Sequence, residues 1–327
     1  MILHGDGSTN IFVKDGLLPF AKYEKETAPN ALNGSVKDTL YQEREVNGQF
    51  DLILTNPPFS VELDNDTKKT IKHDFMFGEK KNSENLFIER WYQLLRENGR
   101  VAAVLPESVF DTTENKYIRL FLYKYFKIKA VVSLPQLTFE PYTSTKTSIL
   151  FAQKKTKEEI AAWNDAWDTA SKDYQTLKTR VQNLMSVVDG KKQKAKLPSI
   201  KDLTQDEEIA IICKMLRSYI SERDAGLNLC ELINKYRAEL EDLCTHDKDT
   251  QDAFGFVNTW WVFGEVSAKL KYDIFMAEAE NVGYKRTKRG ENKMPNELFR
   301  VNNNNELTLD DGISTTILDY MRSIKWD

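Results

Sequence analysis

The chain has 327 residues, with 46 Lys and Arg against 50 Asp and Glu, a net charge of −4. That length suits two domains, or one domain with an extension. The near-balance of charge excludes a global positive field, so any nucleic-acid contact must rest on local patches. Cys213, Cys230 and Cys244 are odd in number and widely spaced, which argues against a disulfide framework and against a cysteine zinc site; no metal is expected. All three lie in apolar, helix-like stretches and are expected to be buried thiols. Met1 to Asp6 carries no signal-peptide core, and no later run suits a membrane span, so a cytoplasmic protein is expected.

In chain order, Met1-Ile2-Leu3-His4-Gly5 reads as a last helical turn stopped by Gly5. Ile11-Phe12-Val13 reads as a short strand ending at Lys14-Asp15, and 21–48 as a polar loop. Phe50 to Thr55 then reads as a strand. Three successive apolar residues, Leu52, Ile53 and Leu54, suit a strand covered on both faces. Asn56 stands before Pro57 and Pro58. Each proline fixes its own φ and restricts the residue before it. The Asn56 amide and the Pro57 carbonyl are thereby held rigid at a strand's carboxyl end, where open α/β sheets bind ligands.

That arrangement suits methylation of an exocyclic amine. The amino group of adenine is a poor nucleophile because its lone pair is delocalised into the ring. Two carbonyl acceptors, from Asn56 and Pro57, take its two N–H bonds and favour a pyramidal nitrogen with a free lone pair. Phe59 offers a π-face for a base removed from its stack. A plain Pro-Pro turn followed by a core Phe satisfies the same string.

The charged stretch 62–81 reads as a solvated loop, with a DNA-contacting loop as the other reading of the same composition. Leu86, Phe87, Trp91, Leu94 and Leu95 recur at helical spacing, with Asn98-Gly99 as the stop. Strands at 100–106, 128–134 and 148–151 flank a helix near 118–125. This alternation predicts a parallel-rich, doubly wound domain.

From Glu158 the pattern changes. Ile160, Trp163, Trp167, Ala170, Tyr174, Leu177, Val181, Leu184 and Val188 alternate steps of three and four, a heptad seam that asks for a helical partner. The basic stretch from Gly190 to Lys196 breaks it, and apolar helices return afterwards. Residues 156–248 therefore read as a helical, coiled-coil-like arm with a basic tip at Lys191, Lys192 and Lys194. An internally closed bundle fits the same pattern. Beyond it, Tyr284, Lys285, Arg286, Lys288 and Arg289 suit a phosphate backbone, although a solvated basic loop has the same composition. A last helix is expected over 314–324.

Asp51 to Phe59 resembles the catalytic motif of amino-group DNA methyltransferases that use S-adenosylmethionine. The stretches 1–5, 86–110, 139–153 and 274–289 are similar, in order, to the modification subunit of type I restriction systems. The resemblance covers roughly half the chain. It implies a partial Rossmann-like class I methyltransferase sheet over 1–155, the helical arm over 156–248, and a small C-terminal region over 249–327 that contacts DNA or partners. It further implies N6-adenine methylation of double-stranded DNA, with Asn56, Pro57, Pro58 and Phe59 catalytic. Phe139 would close on the far face of the flipped base. Asp15 and Asn56 would bind the cofactor, although an ordinary turn aspartate also fits before Gly16. Implied partners are a specificity subunit and a restriction subunit. The family's glycine-rich cofactor loop falls upstream of these motifs, which implies either a truncated product or an upstream polypeptide that completes the sheet. Two other readings are a non-catalytic fragment that binds DNA or partner subunits, and a methyltransferase of protein glutamine or RNA.

Overall fold

The computed structural model describes residues 16–17, 47–59, 61–79, 83–224, 226–287, 290–309 and 315–326. The helix turn expected over 1–5, the strand at Ile11-Phe12-Val13, Asp15 and nearly all of the loop over 21–48 lie outside them. The chain divides into two compact units, 1–157 with 273–327, and 158–272.

Among the described residues the first unit is built on a five-stranded sheet: β1 (Phe50–Thr55), β2 (Leu95–Pro106), β3 (Phe126–Ser133), β4 (Thr147–Lys154) and β5 (Phe275–Glu278). Their spatial order is β1-β2-β4-β3-β5. The β1/β2 and β3/β5 pairs are parallel, whereas β4 runs antiparallel to both β2 and β3. The sheet is therefore mixed rather than parallel-rich. Its physical reason is the connection: no helix joins β3 to β4, only the loop 134–146, so the chain turns back and enters the sheet reversed.

Helix α1 (Asn65–Ile71) occupies part of the stretch expected to be loop. Asp64 caps it, accepting from the Asp66 and Thr67 amides. Helix α2 (Ser83–Leu94) buries Leu86, Ile88 and Trp91, and α3 (Lys116–Tyr125) buries Ile118, Phe121 and Leu122, all in one apolar core with β2 to β4. Asn98-Gly99 does not stop α2. The helix ends at Leu94, and the pair sits in an irregularity of β2, where Phe50 faces Leu95 but Leu52 already faces Arg100. Asn98 takes a positive φ of 62° there. A Cβ on Gly99 would stand 2.9 Å from the Phe50 carbonyl oxygen, so close backbone approach asks for glycine.

The expectation that β1 is buried on both faces is corrected. Ile53 packs against the core, but Leu52 is 54 % and Leu54 72 % exposed. Among the described residues β1 pairs only with β2, and none covers the face shared by Phe50, Leu52 and Leu54.

The first unit also contains the hairpin β6 (Val282–Thr287) and β7 (Gly290–Asn296). The last helix is shorter than expected, α9 (Ile317–Met321), started by a capping box between Thr316 and Asp319.

The second unit is helical: α4 (Lys157–Val188), α5 (Gln205–Leu216), α6 (Leu229–Lys235), α7 (Arg237–Leu243) and α8 (Thr259–Lys269). The seam expected along α4 is buried from Trp163 to Leu184, with Ile160 and Val188 only half-buried. Its cover comes from the same chain. The Tyr174 hydroxyl donates to the carbonyls of Leu243 and Thr245, and its ring packs on Trp261 at 5.6 Å. Trp167 meets Phe254 at 5.7 Å. Within the unit the seam is therefore covered by the chain's own residues, as an internally closed bundle requires. The boundary expected at 248 moves to 272, because Phe254, Trp261 and Val266 are buried among these helices. The cysteines differ too: Cys244 is buried, Cys213 half-buried and Cys230 exposed, since Cys230 lies beside Glu231 on the exposed side of α6, whose buried side is formed by Leu232 and Ile233.

One buried acid fixes the loop before α6. Asp224, only 6 % exposed, accepts from Lys235 Nζ at 2.6 Å, from the Tyr236 hydroxyl and from Ser221 Oγ. Those hydrogen bonds, led by the one from Lys235, hold its carboxyl below the ordinary 3.8. A depressed folded-state pKa stabilises above the unfolded value and is lost as pH falls through the folded one. The unit is therefore expected to lose stability as pH drops below about 3.8. Asp224→Asn should be less stable at neutral pH, and its deficit should shrink in acid; melting curves at several pH values would show a constant deficit if this is wrong.

Candidate active site

The end of β1 delivers the Asn56-Pro57-Pro58-Phe59 turn. Asn56 is exposed, Pro57 buried, Pro58 exposed and Phe59 half-buried. Neither the Asn56 amide nor the Pro57 carbonyl has a hydrogen-bond partner among the described residues. Both acceptors are therefore available to a substrate. The Phe59 ring lies against Phe139, edge to face, with centroids 6.1 Å apart. Two rings named from separate parts of the sequence thus meet at one place. A base stacked between them would require the edge-on contact to open into parallel faces.

Phe139 is carried by the β3–β4 loop, and that loop is held. The Tyr142 amide donates to the Phe139 carbonyl at 3.0 Å, and Gln136 Nε2 donates to the Ser144 carbonyl at 2.6 Å. From β6, the Tyr284 hydroxyl donates to the Thr138 carbonyl at 3.1 Å. Phe139, Ile149, Tyr284 and Ile317 pack around Leu134, Ala279 and Val282. The loop's aromatic is thereby tied both to the sheet and to the C-terminal hairpin.

The segment after Phe59 is fixed to α2. Glu89, 6 % exposed, accepts from the Met76 and Phe77 amides. Burial pushes its carboxyl up, and the two amides only partly offset this. At the start of the same helix Asn85 is fully buried and donates to Asn115 Oδ1 at 2.7 Å and to the Tyr117 hydroxyl at 2.6 Å. The Tyr117 phenol, chiefly through burial, is pushed up to about 12. The sequence alone does not mark these groups as site residues. The signal available was the polar triple Ser83-Glu84-Asn85 opening a helix whose next residues are apolar.

The basic candidates are only partly brought together. Lys285 is exposed on β6, and Arg286 pairs with Glu291 at 2.9 Å while lying 5.1 Å over the Tyr284 ring. Lys288 and Arg289 lie outside the described residues. In the helical unit Lys191 pairs with Asp189, and Lys194 pairs with Glu208. Lys192 and Lys196 are exposed cations without such a pair among the described residues, and Asp189 is shared with Arg237, so the basic stretch keeps a net positive charge.

A family model for N-6 DNA methylase matches residues 25–239. The chain belongs to the N-6 DNA methylase family. The match takes in the Asn-Pro-Pro-Phe turn and runs on into the helical unit. Among curated relatives, the type I restriction enzyme EcoEI methylase subunit of Escherichia coli is 30 % identical over 132 residues. That stretch is 40 % of this chain and 26 % of the relative, so the chain spans about a quarter of that protein's length. A modification subunit of a type I restriction enzyme from Vibrio vulnificus is 27 % identical over 34 % of this chain and 25 % of its own, with a TM-score of 0.30. For the EcoKI M protein the values are 25 %, 33 %, 21 % and 0.27. Strand order and register, rather than these superpositions, define the fold.

Around the expected cofactor contact at Asp15, only the next two residues are described. Gly16 and Leu17 are placed, with a Gly16 Cβ position 3.3 Å from the Phe87 ring and Leu17 buried; Asp15 itself is not described. Asn56, the other residue expected to meet the donor, stands exposed at the end of β1. Among the described residues no helix is long and apolar enough to cross a membrane, and no group of three or more His, Cys, Asp or Glu could hold a metal ion.

Proposed function

We propose that this chain is the catalytic part of a type I modification subunit that methylates the N6 amino group of adenine in double-stranded DNA, with S-adenosylmethionine as donor. The observation that carries the reading is the convergence of Phe59 with Phe139 beside two free carbonyl acceptors at a strand end. The donor, when bound, supplies an electrophilic methyl group. The chain's own part is to take the extruded base between Phe59 and Phe139 and accept its amino hydrogens on Asn56 Oδ1 and the Pro57 carbonyl. No side-chain base is required before attack. The amino nitrogen gains the methyl group as the donor's C–S bond breaks, and then sheds one of its protons to solvent.

Sequence choice would come from a separate specificity subunit, with a restriction subunit as a further partner. Lys285 and Arg286, with Lys288 and Arg289, would contact phosphates. Membership of a DNA methylase family favours DNA over protein glutamine or RNA as the substrate. The test is transfer of labelled methyl groups by the complete enzyme to DNA, ribosomal RNA or ribosomal protein. N6-methyladenine in DNA is the expected product, and label in RNA or protein alone would overturn the reading.

Phe59 should act through its face. Phe59→Trp should retain activity, whereas Phe59→Ala should weaken capture of the extruded base by about 1–3 kcal/mol. Fluorescence of 2-aminopurine at the target position reads this directly. An unchanged signal in Phe59→Ala would make Phe59 an ordinary packing residue.

A further inference from the structure

The β3–β4 loop carries a second aromatic that the base pocket does not use. Tyr142 is 84 % exposed, the highest value among the large apolar side chains described. A lone exposed aromatic is common on protein surfaces. Three further observations set this one apart. Its backbone is anchored to the pocket residue itself, since the Tyr142 and Thr143 amides both donate to the Phe139 carbonyl, at 3.0 and 3.2 Å. The turn is braced on both sides, by Gln136 to the Ser144 carbonyl and by Tyr284 to the Thr138 carbonyl. And Arg286 of the basic hairpin lies within electrostatic reach of the Tyr142 phenol.

One braced turn therefore presents Phe139 to Phe59 and Tyr142 to solvent, within electrostatic reach of Arg286. Three residues apart, the two backbones are separated by at most roughly 11 Å. Extruding a base unstacks both neighbours and leaves its partner unpaired. Proteins that distort duplexes offset such losses by inserting an apolar side chain into the stack. A ring on a held loop is suited to this, because little ordering remains to be done on binding.

We propose that Tyr142 is a positioning residue that enters the duplex and stacks in the gap left by the extruded adenine. This inference rests on the DNA-methylating reading above. It assigns Tyr142 to the DNA stack and leaves the base itself to Phe59 and Phe139.

The test uses a short oligonucleotide duplex containing one abasic site opposite thymine, and the same duplex intact. The abasic duplex has the gap already made and no base to offer the pocket, and neither probe needs the target sequence. Binding to the full chain is followed by fluorescence anisotropy. The parent should favour the abasic duplex by about tenfold, the scale of one stacking contact. Tyr142→Ala should bind both alike, at the parent's affinity for intact DNA, and Tyr142→Trp should keep the preference. As Tyr142 is exposed, neither change should disturb folding. A parental preference surviving in Tyr142→Ala, or a parent that shows none, overturns the wedge alone. Failure of the parent to bind either duplex overturns the DNA reading, and the wedge with it.

Discussion

Replacing Asn56 by alanine in a complete, cofactor-competent enzyme is expected to slow adenine methylation by about a hundredfold, a loss of about 3 kcal/mol in transition-state stabilisation. The substrate's amino group gives up its conjugation with the ring only if both N–H bonds find acceptors. Pro57 provides one through its carbonyl, and proline geometry aims it whatever residue precedes. The other acceptor is the Asn56 side chain, which is exposed and carries no hydrogen bond among the described residues. Its removal should therefore leave the fold intact, and an unchanged melting temperature would separate the catalytic effect from a structural one. Asn56→Asp keeps an acceptor oxygen and should retain more of the rate than alanine does. Single-turnover methylation measures both variants, and parental rates in Asn56→Ala would falsify the assignment.

What could be read beforehand divides along physical lines. The Asn56 turn was legible because two successive prolines constrain the backbone wherever they stand, and because Phe50 to Thr55 is a local strand pattern. Helices α2 and α3 and strands β3 and β4 were legible from periodicity alone. The direction of β4 was not. Antiparallel entry is decided by the lack of a crossover helix between Ser133 and Thr147, and a short apolar run looks the same in either orientation. Asn98-Gly99 misled for a related reason, since the pair that commonly ends a helix also suits an irregularity in a strand. Within the site, Phe139 was reached through family resemblance and not through its own surroundings. The binding of the Met76 and Phe77 amides by Glu89 was not legible, because a single glutamate in a helix ordinarily marks the solvent side. The open face of β1 at Leu52 and Leu54 shows the same limit, as an apolar triplet records a preference for cover and not its source.

The helical unit offers the other large effect, because its seam was ambiguous in sequence and is closed in the structure. Trp167 is 7 % exposed, stacked on Trp163 with centroids 4.7 Å apart and planes 15° from parallel, and it meets Phe254 at 5.7 Å. Removing a large buried aromatic typically costs about 3–5 kcal/mol. A carboxylate in its place adds the cost of a polar group in an apolar setting, or of neutralising it. Trp167→Asp is therefore expected to open the bundle around α4 and Phe254, bringing early proteolytic cleavage within 158–272. Trp167→Phe, which keeps an aromatic against Phe254, should lose far less. The comparison also separates the two readings of the seam. In a closed bundle the damage appears in the isolated chain at any protein concentration. In an arm completed by a second molecule, the seam of the isolated parent would already be open, and the parent and Trp167→Asp would be cleaved at similar rates. The contacts of Tyr174 with Leu243, Thr245 and Trp261 place the cover within the chain. Resistance should accordingly belong to the isolated parent and be lost in the aspartate variant.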